Sequence, residues 1–170
     1  ATIAQSTDSD SGSYAVEVAG ATNNKRLASK AYTLPAGTYT LSAFIKQSGD
    51  AVGAFRLGYA IIKDGAIANS DYMYLNDPTY VTEEWEYYSV EFTLEEETTV
   101  SLIVMNSKVG NGASILVDDV ELDIEDLDDS YEINIETSKI NVVQEDNKNK
   151  MQIILIFFLT NLFLYVMILL

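Results

Sequence analysis

The chain has 170 residues, with 26 acidic and 10 basic side chains and a formal net charge of −16. A chain this acidic repels nucleic acid and anionic membrane surfaces and tolerates divalent cations such as calcium. It contains no cysteine and no histidine, which excludes disulfides, thiolate metal sites and catalytic groups built on histidine. The length allows one domain with a sizeable core, together with additional segments.

Taken in chain order, the sequence begins with a small, polar stretch, residues 1–12, which predicts a flexible N-terminus. Residues 13–124 contain short alternating segments at a spacing of roughly ten residues, separated by turn sequences and with no convincing helix. This pattern is typical of an antiparallel β-sandwich or barrel. We therefore expect one all-β domain over residues 13–124.

The alternation also predicts which side chains face the core. In segment 38–46, Tyr39 and Leu41 belong to an apolar face, whereas Phe44 lies on the opposite face with Ser42 and Lys46. Asp64-Gly65 is a strong hairpin signal after one of the strands. The other predicted strands span residues 14–18, 27–34, 54–63, 86–94, 99–106 and 114–122.

The strand predicted at Ser114–Leu122 carries two adjacent carboxylates, at Asp118 and Asp119. Strict alternation places Asp118 on the apolar face together with Val120. A carboxylate that points toward a core is costly unless it is hydrogen-bonded, paired or bound to a metal. Asp118 therefore either lies at the sheet margin or holds a neighbouring loop through its oxygens, or it ligates a structural cation.

Beyond this domain, residues 125–150 form an acidic and polar linker, in which 131–143 alternate and predict one extra strand. Residues 151–170 carry no charge and are long enough to cross a bilayer as a hydrophobic helix. Lys148 and Lys150 precede this segment, and the positive-inside rule would then place the domain in the cytoplasm, but two lysines beside several acidic residues carry little weight for topology. A membrane anchor, a cleaved lipid-anchor signal and a fused tail all account for the segment.

Three segments of the domain resemble carbohydrate-binding modules of families 4, 9 and 22. Gly37–Lys46 is similar to an early strand of these modules, and Trp85–Thr93 is similar to their Trp-x-x-Tyr-Ser-x-x-Phe-Thr element. Ile115–Leu122 is similar to their closing Asp-Asp-Val-x-Leu strand. The three segments occur in the family's order and spacing, and the resemblance covers residues 11–124.

The resemblance implies a β-jelly roll of two antiparallel sheets that binds glycans on its concave sheet and is not itself catalytic. It also implies structural Ca²⁺, with the closing-strand Asp118 as a ligand. The family's opening strand, an Asn-Gly-x-Phe-Glu-like segment that supplies further calcium ligands, has no counterpart in residues 1–12. Residues 131–143 could fill its place in the sheet.

Sugar binding requires flat aromatic faces for the pyranose ring and polar groups for its hydroxyls. Phe44 is the best stacking candidate because it stands among polar neighbours on a face opposite the core, whereas Trp85 occupies a largely structural position of the family. The alternative is that several of these side chains simply cover the sheet. The candidate ligand-binding residues are Phe44, Trp85, Tyr59, Tyr72, Tyr74, Tyr87, Arg56 and Gln47, with Tyr80 and Asn106 as further possibilities.

The sequence thus predicts non-catalytic polysaccharide binding by an extracellular or cell-surface β-sandwich, anchored in a membrane through residues 151–170. Such a domain is commonly part of a larger secreted or surface protein. The alternative function is a structural or adhesive spacer of the same fold without a glycan site. A glycosidase is disfavoured, because a small sandwich leaves little room for a cleft with two catalytic carboxylates.

Overall fold

The computed structural model describes residues 3–125 and 150–155, which form two antiparallel β-sheets packed face to face. The first sheet has the strand order β1-β2-β11-β5-β9, and β12 also pairs with β11. The second sheet has the order β3-β10-β6-β7, with β4 also beside β10 and β8 also beside β6. The strands are β1 (Ile3–Ser6), β2 (Ala15–Val18), β3 (Lys25–Ala28), β4 (Tyr32–Leu34), β5 (Gly37–Ser48), β6 (Ala54–Ile61), β7 (Tyr72–Tyr74), β8 (Thr79–Tyr80), β9 (Glu86–Leu94), β10 (Thr98–Asn106), β11 (Ser114–Glu125) and β12 (Lys150–Leu155).

This architecture confirms the predicted all-β sandwich, and it confirms the core face of β5. Tyr39 and Leu41 are at most 1% exposed, and the Tyr39 ring stacks on Phe92 of β9 at 5.3 Å between centroids. Phe92 in turn stacks on Tyr59 of the second sheet at 4.6 Å, which joins the two sheets through one aromatic column. The buried Tyr39 hydroxyl donates a hydrogen bond of 2.7 Å to the Pro35 carbonyl, so its polar end is satisfied.

A β-bulge in β11 overturns the predicted orientation of Asp118. The pairing of β11 with β5 shifts between Asp118 and Glu121, and Asp119 has a positive φ of 43°. The inserted residue reverses the alternation, so Val117 and Val120 both belong to the core. Asp118 instead pairs directly with Phe44 and lies on the outer face of the first sheet.

Both ends of the described chain are built into the first sheet. Residues 3–6, within the stretch expected to be a flexible N-terminus, form the edge strand β1 beside β2. Residues 150–155, where the predicted hydrophobic helix would begin, form strand β12 beside the end of β11. The predicted extra strand at 131–143 and residues 156–170 lie outside the described residues. No helix within the described ranges is long and apolar enough to cross a membrane.

Candidate functional site

The predicted ligand-binding residues do not form one site, because the sandwich distributes them over two outer faces and the interior. Alternation along each strand decides this distribution, since successive side chains point to opposite faces. Phe44, Trp85 and Tyr87 belong to the outer face of the first sheet, Arg56, Tyr72 and Tyr74 to the outer face of the second, and Tyr59, Gln47 and Asn106 to the interior.

The interior residues serve the fold rather than a surface. Tyr59 is 7% exposed within the aromatic column, and Gln47 is 7% exposed and donates from Nε2 to the Gly49 carbonyl at 3.0 Å. Asn106 is 2% exposed, and its Nδ2 donates at 2.9 Å to the carbonyls of Val18 and Ala113. These side chains are therefore inaccessible to a ligand on either sheet face.

On the outer face of the first sheet, Phe44 and Tyr87 are direct cross-strand neighbours whose rings meet edge to face at 5.4 Å. Trp85 contacts the N-terminal segment through its Nε1, which donates a hydrogen bond of 3.2 Å to Asp8 Oδ1. Lys46 Nζ lies 2.8 Å from Asp8 Oδ2 and 5.6 Å from the Trp85 ring centroid. The Lys46 ammonium lowers the pKa of the Asp8 carboxyl, although partial desolvation opposes this effect.

Asp118 lies on this same face and holds the loop between β1 and β2. Its Oδ2 accepts backbone N–H bonds from Asp10 at 2.9 Å and Ser11 at 3.2 Å, and its Oδ1 accepts from Asp119 N–H at 2.9 Å. Burial raises the pKa of the Asp118 carboxyl, and the nearby Asp119 charge adds to this, while the three N–H donors lower it. Among the alternatives that the sequence leaves open for Asp118, the structure shows that it holds a neighbouring loop through its oxygens.

This arrangement does not fit a calcium site as it stands. Three backbone N–H bonds already use most of the about four lone-pair positions of the Asp118 carboxylate, and calcium requires several oxygen ligands. Within residues 3–125 and 150–155, no group of three or more acidic side chains is placed to hold a metal ion. Calcium at Asp118 stays a prediction from the sequence resemblance.

The outer face of the second sheet brings charged and aromatic side chains together. Arg26 of β3, Met105 of β10 and Arg56 of β6 are direct neighbours in one row across three strands. Tyr72 and Tyr74 of the edge strand β7 pair with Ala60 and Gly58 of β6 and stand on the same face. Arg26, Arg56, Tyr72 and Tyr74 are the residues that we term the arginine–tyrosine cluster.

Cation–π contacts and hydrogen bonds hold this cluster together. The Arg26 guanidinium carbon lies 4.1 Å from the Tyr72 ring centroid and 5.9 Å from that of Tyr74, and its Nε donates to the Tyr74 hydroxyl. The Arg56 guanidinium carbon lies 4.6 Å from the Tyr74 ring centroid, and its Nε donates to the Asn76 carbonyl at 2.6 Å. The two tyrosine rings are almost parallel, at 9°.

A small apolar layer supports the cluster. Ala60, Ile103 and Met105 are at most 2% exposed beneath Tyr72 and Tyr74. Strand β7 approaches β6 so closely at Gly58 that an added Cβ would lie 2.0 Å from the Met73 carbonyl oxygen. The absence of a side chain at Gly58 therefore allows β7 to hold both tyrosines in place.

Sequence reasoning missed Arg26. The predicted second strand began one residue later, at Leu27, and its two parts are separate strands that both pair with β10. Leu27 is 6% exposed, so alternation extended by one position would have placed Arg26 on the outer face. Its proximity to Tyr72 depends on pairing across four strands, which the local sequence does not contain.

Comparison with known proteins supports the fold but not a particular ligand. No protein-family model matches the chain, and no curated protein matches it. The xylan-binding CBM22-1 domain of Xyn10C from Paenibacillus barcinonensis has a TM-score of 0.53 and 15% identity, over 72% of this chain and 80% of that domain. The tandem CBM22-1-CBM22-2 domain of the same protein has a TM-score of 0.58 and 13% identity, over 81% of this chain and 41% of the tandem. The chain has the β-sandwich fold of these carbohydrate-binding modules, which confirms the sequence resemblance at the level of the fold.

Proposed function

We propose that the chain binds polysaccharide without catalysing its cleavage, and that the arginine–tyrosine cluster is the binding site. The observation that carries this proposal is the convergence of two guanidinium groups and two tyrosines on one outer face. Binding sites for sugars combine aromatic rings with hydrogen-bond donors, and the cluster places guanidinium donors beside two tyrosine rings that the arginines partly cover. The likeness of the fold to a xylan-binding domain agrees with polysaccharide as the ligand.

The proposal includes an extracellular or cell-surface location, because polysaccharides of this kind lie outside the cell. The segment 151–170 would then anchor the domain in a membrane only if residues 151–155 leave strand β12, because the 15 residues that follow are fewer than the about 20 that a spanning helix needs. Most of that segment lies outside the described residues, so this part of the proposal depends on the sequence alone.

A second candidate function is a structural or adhesive spacer of the same fold. The observation in its favour is that the arginine–tyrosine cluster covers the buried residues Ile103 and Met105, which would otherwise be exposed to water. A covering layer needs no ligand, and fold alone does not give function.

Affinity gel electrophoresis of the full 170-residue chain in gels that contain xylan, mixed-linkage β-glucan, mannan or polygalacturonate separates the two candidates. We expect at least one polysaccharide to retard the chain, and the double variant Tyr72→Ala/Tyr74→Ala to weaken that binding at least about tenfold. The matched control is Phe44→Ala/Tyr87→Ala on the opposite face, which should bind like the wild type. If none of the four polymers retards the chain, the result would favour the spacer function.

A further inference from the structure

We propose that the arginine–tyrosine cluster selects polysaccharides that carry anionic groups, namely uronate carboxylates or sulfate esters. This inference deepens the proposed function and rests on it. It concerns whether the bound polysaccharide is anionic or neutral.

Both arginines of the cluster use only one of their guanidinium nitrogens as a hydrogen-bond donor within the described residues. Arg26 and Arg56 each use Nε internally, toward the Tyr74 hydroxyl and the Asn76 carbonyl respectively. Their terminal Nη groups have no hydrogen-bond partner within the described part of the chain. Each guanidinium is therefore fixed at one nitrogen and presents its remaining donors, in the planar arrangement that matches a carboxylate or a sulfate.

The two arginines of the cluster also differ in charge pairing from the lysines that form salt bridges. Among residues 3–125 and 150–155, Lys46 and Lys63 have carboxylate partners at 2.8 Å and 3.1 Å, whereas neither guanidinium of the cluster has one. The chain carries a formal charge of −16, so acidic partners for the arginines were available in abundance. Two half-buried cations held against tyrosine rings without a counterion form a local site for an anion.

The arginines partly cover the tyrosine rings of the cluster. One face of Tyr72 is covered by Arg26, and Tyr74 is contacted by both guanidinium groups. Ring surface that is already covered by a cation is not free to stack on a neutral pyranose. Recognition at this site thus depends more on the guanidinium donors than on stacking, and this favours an anionic ligand over a neutral one.

The arrangement of the row also suits a polymer. Arg26 and Arg56 occupy one row, separated only by Met105, which places their backbones about 10 Å apart across two strand spacings. One polysaccharide chain can therefore engage both cations, and the second contact is then intramolecular. Repulsion by the acidic remainder of the protein is screened beyond about 8 Å at physiological ionic strength.

The test compares matched polymers that differ only in charge, with the full chain as the binding partner. Polygalacturonate is paired with its carboxyl-reduced form, in which every carboxylate has become a primary alcohol. Dextran sulfate is paired with dextran. We expect dissociation constants at least about tenfold lower for the anionic member of a pair, the difference expected from one charge-assisted hydrogen bond. The pair that shows the difference identifies carboxylate or sulfate as the recognised group.

Variants tie the preference to the cluster. Arg26→Gln/Arg56→Gln should remove the difference between charged and neutral polymers, whereas Lys108→Gln, which removes an exposed charge elsewhere, should leave it unchanged. Arg26→Lys/Arg56→Lys keeps the charge but not the planar donors, and we expect weakened binding with the preference partly retained. Thermal melting of each variant establishes that it is folded.

Equal affinity for the charged and neutral members of both pairs would overturn this inference and leave polysaccharide binding in place. An anionic preference that survives Arg26→Gln/Arg56→Gln would overturn it as well. Absence of binding to all four of these polymers and to neutral xylan, β-glucan and mannan would overturn the proposed function itself.

Discussion

The backbone N–H of Asp10 donates a hydrogen bond of 2.9 Å to the carboxylate of Asp118, a residue 108 positions later in the chain. Ser11 donates to the same oxygen through its N–H, and its hydroxyl donates to Asp119 at 2.9 Å. One bulged segment of β11 therefore holds the loop that connects β1 to β2. We infer that this loop is an ordered part of the sandwich and contributes to its stability.

Replacing Asp118 by alanine should lower the free energy of unfolding by about 1 to 3 kcal/mol, because three backbone N–H groups lose their acceptor. Asp118→Asn keeps one acceptor oxygen and should cost less. Urea unfolding at equilibrium measures both variants, with Asp50→Ala in an exposed turn as the matched control. Stability equal to that of the wild type in Asp118→Ala would show that the loop contributes nothing.

The same carboxylate predicts how stability changes with pH. Burial, and to a lesser extent Asp119, raises the pKa of Asp118 above its ordinary value. The folded protein then binds this proton more tightly than the unfolded chain, so this contribution to stability grows as the pH falls from neutral through the raised pKa toward the ordinary range of aspartate.

Urea midpoints at a series of pH values, from neutral down toward the ordinary pKa range of aspartate, provide the measurement. We expect the wild type to gain more stability on acidification than Asp118→Asn, in which residue 118 cannot titrate. The general relief of repulsion in a chain of charge −16 is shared by both proteins and cancels in the comparison. Equal gains would contradict the raised pKa.

Calcium provides a separate test of residue 118. Because the Asp118 oxygens accept bonds from Asp10, Ser11 and Asp119, a cation would have to displace these donors. We therefore expect the same melting temperature in millimolar calcium and in chelator. A calcium-dependent rise that Asp118→Asn abolishes would instead establish the calcium site implied by the sequence resemblance.

Gly58 controls the position of β7. Gly58→Ala would place a Cβ 2.0 Å from the Met73 carbonyl oxygen, so β7 must move away from β6. We expect a loss of about 1 to 3 kcal/mol in unfolding free energy, the usual cost of overpacking, together with weakened polysaccharide binding. Gly37→Ala is the control, since its nearest neighbour is the Ile124 Cδ1 atom at 3.4 Å, and it should change neither quantity much.

Much of the sandwich could be predicted because its strands alternate strictly. The alternation in segment 86–94 predicts the bounds of β9, and Asp64-Gly65 forms the expected turn with φ values of 51° and 74°. The face of β5 that carries Tyr39 and Leu41 follows from period two alone. Local pattern is sufficient wherever one face is apolar over a whole strand.

The candidate site could be predicted only in part, because it depends on which strands pair. Phe44 and Tyr74 are both aromatic residues on outer faces, yet they belong to different sheets, and no local feature of either segment tells them apart. Strict alternation likewise cannot predict the bulge at Asp119, and for this reason it places Asp118 on the core face instead of the outer face. Arg26 belongs to the candidate site only through its contacts with Tyr72 and Tyr74, which lie about fifty residues away in sequence.

Hydrogen–deuterium exchange of the full chain, with and without a saturating polysaccharide, tests the proposed site most directly. We predict slower amide exchange in β7 and in residues 75–77 when polysaccharide is bound, because these backbone groups adjoin Tyr74 and Arg56. Exchange in β9, which carries Tyr87 on the opposite face, should not change. Protection confined to β9, or no protection anywhere at saturation, would contradict a polysaccharide site at the arginine–tyrosine cluster.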